Sequence, residues 1–212
     1  MKLAALLPAA GEGQRLGLGP KALLRLGGET LIERAVRQLS PLVDQVLVGL
    51  PPGCPPPPGA AGRPGGKTRQ ETVLALLEAC DADLVLIHDA ARPFLRSGLA
   101  SAVLAAAGPG GFATAALPSP DTLVEVAGGS YRPLDRSRVQ RIQTPQAGWR
   151  EPLLRWHRQA ASAGLEFTDD AGLAAAFGQP VSLVPGDPWL FKITTPSDWA
   201  MAQALLSAWE ER

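Results

Sequence analysis

Residues 3–21 constrain the fold of this chain more than any other segment. An apolar run, Leu3 to Leu7, stops at Pro8 and opens at once into a loop of small residues and glycines that ends in two cations, Arg15 and Lys21. A short buried strand that delivers its carboxyl end to such a loop is how open α/β sheets hold phosphate groups. Glycines let backbone N–H groups approach an anion closely, and the two cations add charge where a polyphosphate would lie. Spacing excludes two common phosphate loops. No string has the Walker A order, and Gly11, Gly13 and Gly17 run one residue too long for G-x-G-x-x-G.

Beyond this loop, strand and helix patterns alternate. That predicts an α/β fold, a Rossmann-like and mostly parallel sheet with helices on both faces. Strands are expected over 2–7, 46–50, 84–87, 112–117, 181–184 and 190–193. Capping-box spacing at Thr30-Leu-Ile-Glu33 and again at Thr68-Arg-Gln-Glu71 predicts two helix starts. Further helices are expected over 95–107, 151–163 and 169–177, and after Thr195-Pro196, where proline suits the first helical position. From Pro51 to Gly66, twelve of sixteen residues are Pro or Gly, which predicts an irregular surface connection. Between Pro118 and Gln143 the pattern changes to an Arg-rich, hairpin-like excursion. Residues 1–212 are read as one domain, with 118–143 an arm inserted within it.

Charge and cysteine usage narrow the function classes. With 20 basic and 20 acidic residues the formal net charge is zero, so no global field draws the chain to nucleic acid or membrane. The apolar run after Lys2 is too short for a signal peptide, and no stretch approaches membrane-span length. Cys54 and Cys80 lie far apart without a CxxC pattern, which points to reduced thiols in a cytoplasmic protein. Neither His88 nor His157 has a metal-like partner at i+3 or i+4. Only four basic residues are lysines, and three of them, Lys21, Lys67 and Lys192, fall in segments singled out on other grounds.

Arg15, Lys21, Asp89, Arg92 and Lys192 each follow or end a predicted strand. The carboxyl ends of parallel strands share one crevice, so these groups can converge there. Cations around one carboxylate suit a phosphorylated substrate and a nucleoside triphosphate. No Ser/His/Asp or Cys/His set for acyl transfer is evident. A phosphate monoester with a second pKa near ~6 is mostly dianionic at neutral pH and needs no general base as a nucleophile. Transfer then rests on positioning and charge neutralisation.

The order of the motifs resembles the 2-C-methyl-D-erythritol 4-phosphate cytidylyltransferase family over nearly the whole chain. The strings are Pro8 to Arg15, Pro20-Lys21, Gly65-Gly66-Lys-Thr-Arg69-Gln-Glu-Thr72-Val73, His88-Asp89-Ala-Ala-Arg92-Pro93, Asp121-Thr122, Asp135-Arg136, Thr144-Pro-Gln146, Thr168-Asp169-Asp170 and Lys192-Ile-Thr. The resemblance implies transfer of CMP from CTP to the alcohol phosphate, with release of pyrophosphate. It implies that Ala9, Ala10, Gly11, Gly13, Lys21, Gly66, Thr72 and Ala90 contact CTP. Arg15, Lys21, Arg136 and Lys192 become the catalytic set, with Arg15 and Lys21 meeting charge that grows on the α-phosphate. Asp89, Arg92, Thr122, Arg136, Thr144 and Lys192 would hold the alcohol phosphate.

The resemblance further implies Mg²⁺ carried mainly on the triphosphate, with no dedicated protein ligand and Asp89 as second choice. It implies a homodimer in which the arm, with Thr122 and Arg136, completes the neighbour's site. Two positions depart from the family pattern: Lys67 stands where Asp is frequent, and Thr72 stands where Ser is usual but keeps the hydroxyl. Rival readings are a cytidylyltransferase for another alcohol phosphate such as ribitol 5-phosphate, a sugar-phosphate nucleotidyltransferase using UTP or dTTP, and a non-catalytic nucleotide-binding module. A binding module would not need both Arg15 and Lys21.

Overall fold

The computed structural model describes residues 1–11, 13 and 15–211. Its centre is β1 (Leu3–Pro8), whose four middle residues are buried. β1 lies between β4 (Gln45–Leu50) and β6 (Leu84–Ile87) and is parallel to both. Burial on both faces is what a strand in the middle of a parallel sheet requires, and it explains a continuous apolar run with no polar alternation. Side chains still alternate between layers. Ala5 and Leu7 join one core cluster with Ile32, Val36, Ala100 and Val103, while Ala4 and Leu6 join the other with Val73, Leu76, Leu153 and Leu173.

The first layer is therefore built by α1 (Leu31–Leu39) and α3 (Ser97–Ala106). The second is built by α2 (Arg69–Ala79), α4 (Arg150–Ser162) and α5 (Asp170–Ala176). Thr30 closes a full capping box with Glu33 at the start of α1. At α2 the box is only half formed. Thr68 Oγ1 accepts from Glu71 N at 3.1 Å, but Glu71 Oε2 accepts from Lys67 N at 2.6 Å instead of turning to Thr68. The carboxylate is thus spent on the turn before the helix.

Seven strands form the main sheet, and the connection after β4 is more regular than its composition predicts. Residues Ala61–Pro64 form β5, an edge strand parallel to β4. Proline tolerates an edge because its missing N–H faces away from the ladder. On the other side, β10 (Gln140–Trp149) runs antiparallel to both β6 and β7 (Phe112–Pro118). β11 (Val181–Pro185) then closes the far edge, parallel to β7.

No strand forms over 190–193; the segment is extended but lies outside the sheet. It is held by Ile193 N donating to Ala91 O at 2.8 Å. Leu190 and Ile193 are buried there, which accounts for their strand-like apolar character. α6 (Pro196–Glu210) packs beside it, on a small hairpin of β2 (Arg25–Leu26) and β3 (Glu29–Thr30), around Phe94, Trp189 and Trp209.

The excursion leaves at the end of β7 and returns at the start of β10, where Gln140 pairs with Pro118. Within it, β8 (Val124–Ala127) and β9 (Ser130–Pro133) form a separate two-stranded hairpin. Gly128 and Gly129 both have positive φ, 55° and 79°, as a two-residue turn matched to strand twist demands. Val126 and Tyr131 are each 70 % exposed on it. Among the described residues no helix is long and apolar enough to cross a membrane.

Candidate active site

The carboxyl ends of β1, β4, β5 and β6 open on one cleft of about 880 Å³. The loop after β1 supplies its floor. Ala9 N donates to Gly49 O at 2.8 Å, and Gly65 N donates to Leu50 O at 2.9 Å, so two loops are stitched to β4 from either side. These loops touch. A Cβ on Gly65 would overlap Ala10, and one on Gly13, which has φ of 70°, would overlap Gly19 O and the Lys21 side chain. Gly65→Ala must therefore push the loops apart. The expected result is a stability loss of about 1–3 kcal/mol, read by thermal unfolding. An unchanged unfolding midpoint would show that the two loops can part without cost.

The cleft brings together Ala9, Ala10, Gly11, Gly13, Arg15 and Lys21 from the first loop. It adds Gly66 and Thr72 from the start of α2, and Asp89, Ala90 and Lys192 from beyond β6 and the extended segment. Thr72 is buried, and its hydroxyl accepts from Gly66 N at 3.0 Å while donating to Thr68 O at 2.9 Å. Its role in the present geometry is to shape the Gly65-Gly66 turn. Lys67 and Glu71 also line the cleft, both exposed.

Lys21 Nζ donates to Ile193 O at 3.2 Å, which ties the glycine-rich loop to the extended segment. Burial lowers the Lys21 pKa, and the nearby Arg15 and Lys192 cations push it the same way. Asp89 receives Arg69 Nε on Oδ1 at 3.0 Å and Lys192 Nζ on Oδ2 at 2.7 Å. Burial works to raise its pKa, but the Arg69 and Lys192 charges override this and hold the carboxyl well below the usual carboxylate range.

Arg69 is a site residue that the sequence reading does not single out. A signal for it existed. It is the first residue of α2, where a cation faces the positive end of the helix dipole and belongs only if anions hold it. Its second anion is Asp170, with Nη2 to Oδ2 at 2.8 Å. Burial would lower the Arg69 pKa, and Asp170 and Asp89 together reverse that and raise it.

Four expected ligand contacts sit elsewhere. Thr144 is buried behind the cleft, and its Oγ1 accepts from Asp89 N at 3.0 Å and lies 3.1 Å from His88 Nδ1. Arg92 does not line the cleft; its Nη1 donates to Leu190 O at 2.8 Å and clamps the extended segment. Thr122 and Arg136 are exposed on the excursion and do not line the cleft of their own chain, and Arg136 Nη1 donates to Pro120 O at 3.3 Å.

His88 is fully buried, and burial pushes its pKa down to about 4 against the pull of Asp89. The ring is therefore neutral. Nε2–H donates to Arg92 O at 3.2 Å, and Nδ1 accepts from Thr144 Oγ1, which fixes the turn carrying Asp89. Between pH ~6.5 and ~4 the unfolded chain takes up a proton at this residue and the folded one does not. Stability should therefore fall over that window by up to about 3 kcal/mol and lose nothing further from this residue below it. Urea midpoints at pH 7 and pH 4 check this, and His88→Gln should flatten the difference.

A family model for 2-C-methyl-D-erythritol 4-phosphate cytidylyltransferase matches residues 3–208. The chain is 51 % identical over 207 residues to the protein of that name from Deinococcus radiodurans, covering 96 % of this chain and 89 % of the relative. It is 47 % identical over 212 residues to the one from Thermus thermophilus, covering 99 % of each. The crystal structure of a 2-C-methyl-D-erythritol 4-phosphate cytidylyltransferase from Thermus thermophilus superposes with a TM-score of 0.87 at 44 % identity, over 98 % of this chain and 100 % of that one. With a matching family model over almost its full length, relatives near half identity and the same fold, this chain belongs to the 2-C-methyl-D-erythritol 4-phosphate cytidylyltransferase family.

Proposed function

We propose that the cleft transfers CMP from CTP to 2-C-methyl-D-erythritol 4-phosphate, giving 4-diphosphocytidyl-2-C-methyl-D-erythritol and pyrophosphate, a step of non-mevalonate isoprenoid biosynthesis. The observation that carries this reading is the convergence of Lys21, Arg15 and Lys192 on one cleft floored by the glycine-rich loop, with Asp89 held ionised among them. CTP lies along that loop against Ala9, Ala10, Gly11, Gly13, Gly66, Thr72 and Ala90. An oxygen of the alcohol phosphate attacks the α-phosphorus, a P–O bond forms, and the bond to the β-phosphate oxygen breaks. No proton need leave the nucleophile, because a phosphate monoester is already ionised near neutrality. The buried, neutral His88 is consistent with chemistry that uses no histidine base. Arg15 and Lys21 meet the charge that grows on the α-phosphate, a preorganised electrostatic role.

Among the described residues no cluster of three or more acidic, His or Cys side chains could cage a metal ion. Asp89 faces the cleft, but its two oxygens are taken by Arg69 and Lys192. That donor set fits Mg²⁺ carried mainly on the triphosphate, with Asp89 the second-choice protein ligand. Mg²⁺ bound there would supply neutralisation of phosphate charge. The reading places the enzyme in the cytoplasm, where Cys54 and Cys80 stay reduced. It also makes the enzyme a homodimer that exchanges the arm of residues 118–143.

Pyrophosphate release, measured for CTP and UTP with this alcohol phosphate and with ribitol 5-phosphate, tests the assignment. CTP should be strongly preferred. The C4 amino and carbonyl groups have opposite hydrogen-bonding polarity, and a mismatch leaves a buried group unpaired at about 1–3 kcal/mol. Equal kcat/KM for UTP would remove the cytidine assignment, and better turnover of ribitol 5-phosphate would replace the acceptor.

A further inference from the structure

A row of alternating charges runs from the cleft into the core. Lys192 Nζ meets Asp89 Oδ2 at 2.7 Å, and Arg69 Nε meets Asp89 Oδ1 at 3.0 Å. Arg69 Nη2 lies 2.8 Å from Asp170 Oδ2, and Asp170 Oδ1 lies 3.0 Å from His157 Nε2. Side-chain exposure is 37 % at Lys192, 10 % at Asp89 and 22 % at Arg69, and the inner end is closed, with 1 % at both Asp170 and His157. Asp170 does not line the cleft, so no ligand there can touch it. A carboxylate this deep is costly to bury unless it is paired, and hydrophobic packing would serve stability at least as well.

The position of Asp170 is fixed by its surroundings. Its own N–H and that of Ala171 both donate to Gln146 Oε1, at 3.0 and 3.1 Å, which pins the start of α5 to β10. His157 holds Asp170 from α4. Arg69 thus has one edge on an immobile carboxylate and the other on Asp89. The ion pair with Asp170 holds one edge of the guanidinium toward the buried carboxylate while Nε donates to Asp89 Oδ1. Asp89 Oδ2 faces Lys192, the most exposed member of the row. When a substrate phosphate draws Lys192 away, Oδ2 becomes free to accept an alcohol hydroxyl while Oδ1 stays tied.

We propose that Asp170, backed by His157, is a positioning residue for the transfer, acting through Arg69 to hold Asp89 so that Asp89 Oδ2 and Lys192 are presented to the alcohol phosphate. This rests on the proposed reading that Asp89 and Lys192 take that substrate.

The test is steady-state kinetics with CTP and 2-C-methyl-D-erythritol 4-phosphate on the native enzyme, Asp170→Asn, Asp89→Asn and the double variant. Asp170→Asn should raise KM for the alcohol phosphate by about tenfold or more and KM for CTP by less than about twofold, since misplacement transmitted from a supporting residue costs on this order. The double variant should be no worse than Asp89→Asn alone, because both changes act through one side chain. Equal rises in both KM values, or multiplied losses in the double variant, would overturn the role. If Asp170→Asn does not fold, Arg69→Lys gives the same reading: it keeps the charge but cannot span two carboxylates. It should show the same selective rise, and an unchanged KM for the alcohol phosphate would overturn the proposal. A native enzyme that releases no pyrophosphate with this pair sinks the substrate reading and the positioning role with it. Native turnover with unselective variants sinks only the positioning role.

Discussion

Lys21→Ala is expected to lower kcat by about 10²-fold or more, with a much smaller rise in KM for CTP. The ammonium lies at the end of the glycine-rich loop, partly buried and steadied by Ile193 O at 3.2 Å. Burial and the neighbouring Arg15 and Lys192 cations make its charge expensive. On the proposed reading, negative charge accumulating on the α-phosphate would relieve that cost, so the interaction would strengthen toward the transition state and appear in kcat. Arg15→Lys should also be costly, because a point charge does not replace a planar fork. A Lys21→Ala enzyme with near-normal kcat and only a raised KM would reduce this residue to a binding contact.

A mixture of two inactive variants should recover activity. Thr122 and Arg136 are exposed and outside the cleft of their own chain, and the hairpin beside them leaves Val126 and Tyr131 each 70 % exposed. If the excursion serves a two-fold partner, Lys21→Ala and Arg136→Ala damage different halves of one composite site. Each alone should be nearly inactive. Co-refolded in equal amounts, about half the dimers are mixed, and each mixed dimer holds one site with both residues intact, so about a quarter of native activity returns. If the excursion serves its own chain, no mixed dimer has an intact site and none returns. A strictly monomeric protein by analytical ultracentrifugation at assay concentration would also exclude a shared site.

The sheet was legible where burial is symmetric. Ala4 to Leu7 and Leu84 to Ile87 are buried on both faces, so their strings are apolar throughout and admit few other readings. Residues 61–64 and 190–193 misled in opposite directions. The first is an edge strand whose pairing depends on the neighbouring β4 and tolerates Pro and Gly. The second is apolar because it packs under Phe94 and α6, and one backbone bond to Ala91 replaces a ladder. The Thr68 box failed because Glu71 had a nearer donor in Lys67 N, a competition that spacing alone does not reveal.

The same division holds at the site. Arg15, Lys21 and Asp89 could be assembled from the sequence because each comes after a strand and carries a charge whose natural place is a strand-end crevice, whereas Lys192 reaches the same cleft from a segment that is no strand. That logic is local: periodicity sets the strand, and the strand sets where the next residue emerges. The pairing of those charges is not local. Arg69 joins Asp89 to Asp170 across a sequence separation that no pattern encodes, and Thr144 and Arg92 turn away from the cleft to bind Asp89 N and Leu190 O. A side chain's hydrogen bonds are decided by whichever partner the packed core brings within reach, with water excluded. The sequence by itself determined the layers, the phosphate-type loop and the cations at its mouth. Only the tertiary structure decided which cation holds the carboxylate, because that choice depends on distances between elements that meet only when the core closes.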